Sequence, residues 1–134
     1  MYERDYIKRI IQQLFDSIHK LLENPKEDNI EDIQIQYKDL YDKFLGHNFS
    51  YYYNESIETI LDFFSSQEDS LEKIEMLCEL LYNDALLQEN ISIKDSLFAK
   101  SLTLYTYIDE HSNTYSIDRC KRINKINQNL LLIR

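Results

Sequence analysis

The side chains best suited to chemistry are few. They comprise three histidines, His19, His47 and His111, and two cysteines, Cys78 and Cys120. Metal ligation from a helix needs two ligands on one face, as in His-x-x-x-His or Glu-x-x-His, and the chain contains neither spacing. No metal site is expected. Neither cysteine has a histidine within a few residues, and both fall on apolar stripes of predicted helices, which suits small buried hydrophobes better than a redox pair. Asp109-Glu110-His111 joins a histidine to carboxylates, but it stands near a predicted helix C-terminus, where a cation is favoured for structural reasons. The single glycine, Gly46, excludes Gly-x-Ser-x-Gly, the phosphate-cradling loop and the dinucleotide fingerprint as sequence patterns. No catalytic residue and no cofactor are assigned, and a non-enzymatic protein is expected.

Two other groups of residues are suited to recognition. The chain has 11 tyrosines, and Tyr51, Tyr52 and Tyr53 fall in a segment, His47 to Tyr53, read as a loop. Such rings supply the rigid amphipathic contacts that interfaces favour, or they fold back onto their own core with hydroxyls in water. Self-packing is the preferred reading. Lys121, Arg122 and Lys125 share a polar face of the last predicted helix. Residues 1–110 hold 10 Lys/Arg against 23 Asp/Glu, whereas residues 111–134 hold 5 against 1. That basic face has three possible destinations: the acidic helix over 71–85 of the same chain, the same helix of a second copy in a homodimer, or an external acidic partner. Internal docking ranks first. Nucleic acid ranks last, because Arg119, Lys121, Arg122 and Lys125 would have to bind phosphates within a net charge of −9.

Helices must position all of these groups. With 134 residues, 43% of them hydrophobic, the chain is read as one all-α domain spanning 1–134. It has 18 Leu and 17 Ile but no Val, one Gly and one Pro, a composition poor in sheet formers and turn residues. Ile7, Ile10, Ile11, Leu14, Ile18, Leu21 and Leu22 have helical spacing, and Asn24-Pro25 ends that helix. A second runs from about Asp28 through Ile30, Ile33, Tyr37, Leu40, Tyr41 and Phe44 to a left-handed cap at Gly46. Asn54 or Ser56 caps a third, which carries Ile57, Ile60, Leu61 and Phe64. The fourth follows a capping-box-like Asp69-Ser70-Leu71-Glu72, the fifth is capped by Ser92 and the sixth by Ser116. About six helices on short polar loops imply antiparallel neighbours. No apolar run approaches a membrane span and the first residues are charged, so a cytoplasmic protein with no membrane contact is expected.

Residues 75–108 resemble one tetratricopeptide-type helical hairpin. Leu81, Phe98 and Ser101 stand at the repeat's spacing, and Ser101-Leu102 is similar to its Ala-Leu pair, whereas Cys78, Tyr82, Ala85, Lys94 and Thr106 depart from the signature. Met1 to Ile11, Phe44-Leu45-Gly46, Leu77 to Tyr82 and Lys100 to Leu104 together resemble a family of short, uncharacterised bacterial proteins classified as a domain of unknown function. Both resemblances imply an all-helical, repeat-like fold. The repeat register implies further that Glu79 and Asn83 face a partner-binding groove, with Glu79 standing where a grip on a partner's C-terminal carboxylate would need a basic residue. The expected function is a protein- or peptide-binding module, with a nucleic-acid-associated regulator as the alternative.

Overall fold

Spacing of apolar side chains sets the helices, and capping residues set where they begin. The computed structural model describes residues 2–23 and 30–134, with side chains from Asp5 onward. These residues fall into two units, one within 1–55 and one within 56–134.

The first unit contains α1 (Tyr2–Glu23), α2 (Ile30–Leu45) and α3 (Phe49–Asn54). In α1 the residues Ile7, Leu14 and Ile18 are buried while Lys8, Arg9, Gln12 and Gln13 are exposed, as the spacing predicts. The expected stop at Asn24-Pro25 and the expected start near Asp28 lie outside the described residues. Helix α2 packs on α1 and buries Ile33, Tyr37, Leu40, Tyr41 and Leu45, while Ile30, placed on the stripe by the sequence, is exposed. Gly46 follows at φ 86°, a left-handed conformation that glycine adopts without steric cost, and its N–H closes the helix on the Asp42 carbonyl at 3.2 Å.

Residues 49–54 are not the loop expected from sequence. They form α3, because the Asn48 side chain accepts a hydrogen bond from the Tyr51 N–H and so satisfies an orphan donor of the first turn.

The second unit contains α4 (Ile57–Ser65), α5 (Ser70–Leu87), α6 (Ile91–His111) and α7 (Ile117–Ile133). Ser56 caps α4 through the Thr59 N–H, and Ser116 caps α7 through the Arg119 N–H, both at 3.1 Å. Two expected caps are corrected. Asn90, not Ser92, caps α6 by accepting from the Ile93 N–H at 3.1 Å, which leaves Ser92 inside the first turn. Asp69 precedes α5 with left-handed backbone at φ 54° and makes no side-chain cap, so the capping box does not form.

Among the described residues there are seven helices and no strands, one helix more than the six read from sequence. Helix α5 packs against α4 and α6, and α6 packs against α7. From Ile74 to Ala85 every residue of α5 is buried except Glu75 and Glu79. A helix apolar on nearly all sides belongs at the centre of a core. No helix among the described residues is long and apolar enough to cross a membrane.

Candidate functional site

The two carboxylates that interrupt the burial of α5 are four residues apart, so they share one face of the helix, and Asn83 extends the line by one more turn. Helix α6 offers a matching line, Ser101, Tyr105 and Asp109, at the same spacing. Helix α7 supplies Arg119 and Arg122, three apart.

Glu79 is the hub. Its Oε1 accepts from Arg122 Nη2 at 2.7 Å and from Asn83 Nδ2 at 3.2 Å, while its Oε2 accepts from Arg122 Nε at 3.1 Å and from the Tyr105 hydroxyl at 2.9 Å. Asn83 Nδ2 also donates to the Glu79 backbone carbonyl. This is a two-pronged arginine–carboxylate pair, the arrangement that suits a guanidinium best. The side chains are 14% (Glu79) and 30% (Arg122) exposed, and the guanidinium carbon sits 4.1 Å from the centroid of the Tyr82 ring. Burial alone would lower the Arg122 pKa, but the Glu79 carboxylate reverses this and raises it.

Around this hub, Arg119 is almost fully buried, its Nε bonded to Asp109 Oδ1 and its Nη2 donating to the Thr114 carbonyl at 2.9 Å. Ser101 donates to the Cys78 carbonyl at 2.9 Å and so ties α6 to α5. Burial raises the Tyr105 phenol well above its ordinary value, and Glu79 adds to the rise. It also raises the half-buried Glu75 carboxyl, against the pull of Arg119 and with added repulsion from Glu79, Glu72 and Asp109. Among the described residues no buried side-chain polar atom lacks a partner.

The residues singled out from sequence therefore have different situations. Glu79, Asn83 and Arg122 meet at one point. Lys121 and Lys125 are exposed and outside it. In the first unit Tyr52 is fully buried, stacked on Tyr41 with centroids 5.8 Å apart, and its hydroxyl donates to the Leu45 carbonyl at 2.8 Å. Tyr51 stacks on His47 at 3.8 Å, and Tyr53 meets Tyr41 and Phe49 edge-on. All three tyrosines thus have ring partners within their own unit.

The histidines each find a partner on or beside their own helix. His19 meets Glu23 at 3.2 Å, His47 meets Tyr51, and His111 meets the Tyr107 ring and carbonyl. No group of three His, Cys, Asp or Glu side chains among the described residues could hold a metal ion. Cys78 is buried with its thiol pKa well raised by that burial, and Cys120 is half-buried.

Sequence reasoning missed Tyr105, Tyr82 and the buried pair of Arg119 with Asp109. The parallel spacings 75/79/83 and 101/105/109 were the available signal, since a polar line on two helices calls for a polar line opposite. Comparison with protein-family models, with curated proteins and with solved structures finds no match to this chain.

Proposed function

We propose that the chain is a non-enzymatic helical module that binds a protein or peptide, built on a tetratricopeptide-like hairpin of α5 and α6. The observation that carries this reading is the order of contacts in the second unit: α5 packs on α6 and α6 on α7, each helix on its neighbour in the chain, as in arrays that present extended binding faces. Pairs such as Tyr82 with Phe98 and Ser101 with Cys78 support an antiparallel α5–α6 hairpin. Asp109 with Arg119 and Asp95 with Arg134 support the same relation between α6 and α7. The polar cluster favours a structural role over a reactive one, because both oxygens of Glu79 are committed to donors and the one thiol beside it, that of Cys78, is buried.

A nucleic-acid role is less well supported. Arg119 and Arg122, two of the four basic residues it needs, are engaged by Asp109 and Glu79. A homodimer remains compatible with the module reading and is distinguished by light scattering of the purified chain.

The deciding experiment is co-purification of the tagged chain at low and at moderate salt, followed by binding of the recovered protein to the purified chain. The same protein recovered at both salts and bound saturably supports the proposal. A complex with nucleic acid that weakens log-linearly with salt overturns it in favour of the regulator.

A further inference from the structure

The acidic line on α5 already has an occupant. Residues 111–134 carry most of the chain's local positive excess, and the arginines of this segment all engage carboxylates of α5 or α6: Arg119 with Asp109, Arg122 with Glu79, and Arg134 with Asp95. By contrast, the apolar hold of α7 is thin. Its buried residues are Arg119, Ile126 and Leu130, whereas α5 buries ten residues and α6 six. Its attachment is ionic in larger part than that of the other helices: two of its pairs, Arg119 with Asp109 and Arg122 with Glu79, are largely buried and little screened by salt, and the third, Arg134 with Asp95, is exposed. The link that would have to pivot, residues 112–116, is short, polar and exposed at Asn113, Thr114 and Tyr115.

We propose that α7 is a displaceable internal ligand, and that the partner of this module is a basic amphipathic helix that takes its place. This inference rests on the module reading above. The spacing of Arg119, Arg122, Ile126 and Leu130 defines the chemistry required: two arginines three apart for Asp109 and Glu79, then two aliphatic side chains on the same stripe for the seat that Ile126 and Leu130 fill. Lifting α7 uncovers both together, an acidic end and an apolar end. The sign of residues 56–110, with 3 Lys/Arg against 12 Asp/Glu, draws such a segment in, and the closed α7 keeps the face from binding basic helices indiscriminately. A tethered competitor has a high effective concentration, so the apparent affinity for an external helix falls by the fraction of chains that are open.

The test uses a fluorescent peptide of this chain's own residues 116–134 and the full-length protein. A chain carrying Arg119→Glu and Arg122→Glu, which loosens α7 from its seat, is expected to bind the peptide roughly tenfold or more tightly than the unaltered chain. Binding should weaken with salt, and a shuffled peptide of the same composition should not bind. Equal affinity of the two chains, or equal binding of the shuffled peptide, overturns the proposal. Should the altered chain not fold, hydrogen exchange of the unaltered chain decides. Amides of α7 are expected to exchange ahead of those of α5 and α6; exchange of α7 in step with α5 refutes displaceability. If these results are negative while a partner still binds the purified chain, the module reading stands and its contact face lies elsewhere.

Discussion

Replacing Glu79 by glutamine keeps the shape of the side chain and removes its charge. In the native arrangement the two oxygens receive two bonds from Arg122, one from Tyr105 and one from Asn83. An amide offers one acceptor oxygen and one NH2. If the NH2 takes the Oε2 place it confronts Arg122 Nε, and if it takes the Oε1 place it confronts Arg122 Nη2, so one guanidinium N–H loses its acceptor in either orientation. The Tyr105 hydroxyl can rotate and Asn83 keeps the Glu79 carbonyl, so the loss concentrates on Arg122. A hydrogen bond to a charged group contributes about 1.5–3 kcal/mol, and a fully exposed pair about 0–1 kcal/mol. With Arg122 30% exposed and still resting on Tyr82, the expected cost is about 2–3 kcal/mol. For a chain of this size that lowers the melting midpoint by roughly 6–12 °C, read by far-UV circular dichroism. A cycle with Arg122→Met, which retains the aliphatic stem, should show strong non-additivity. A midpoint for Glu79→Gln within about 4 °C of the parent, the range of a surface pair, refutes the reasoning.

Glu75→Gln should act in the opposite direction. The folded pKa of Glu75 is raised above 4.5, chiefly by burial, so the stability linked to this group is present below that value and lost as pH rises through the folded value. The variant should therefore melt higher than the parent at about pH 7 and equally near pH 4, and a lower midpoint at about pH 7 contradicts the assignment. Tyr52→Phe leaves the buried Leu45 carbonyl without its donor and should cost about 1–2 kcal/mol in urea unfolding. Tyr52 and Tyr105 are both raised above the ordinary phenol value of 10.0 by burial, so the stability they contribute is present below about pH 10 and lost above it. Ultraviolet difference titration should show these two phenols ionising only with alkaline unfolding. Asp95→Asn breaks the exposed pair with Arg134 and should leave the melting midpoint unchanged at moderate salt.

Helix starts were legible where an apolar stripe followed a single cap residue, as at Ser116 before α7, and were narrowed to two candidates, Asn54 and Ser56, before α4. They were illegible where local signals competed. In α3, aromatic residues on consecutive positions hide any helical period, and only the Asn48 cap marks its start. Before α6, Asn90 and Ser92 are both good cap residues, and nothing local shows that the backbone turns at the first of them. The site was legible by halves. Opposite charges on the helices over 71–85 and 117–133 predicted that they would meet, yet Lys121 and Lys125 stay exposed while Arg119, with the same local pattern, is buried against Asp109. Which cation of a basic helix turns inward depends on the rotation of that helix about its axis, and the neighbouring helix sets that rotation. Tyr105 was legible only as an apolar ring, because its hydroxyl finds Glu79 across 26 residues of chain.

The contact between Arg122 and Glu79 joins positions 43 residues apart, whereas Ser101 and Cys78 are 23 apart. Chain closure becomes harder with length, so the pair that bridges α5 and α7 is the costlier of the two to close, whereas Arg119 and Asp109, 10 residues apart, hold α7 to α6 locally. An interaction made after the rate-limiting step barely alters how fast a chain folds; it governs how slowly the folded form comes apart. Where the pair of Glu79 and Arg122 forms after that step, it acts on the lifetime of the folded form, together with the pairs of Arg119 and Arg134 and the burial of Ile126 and Leu130.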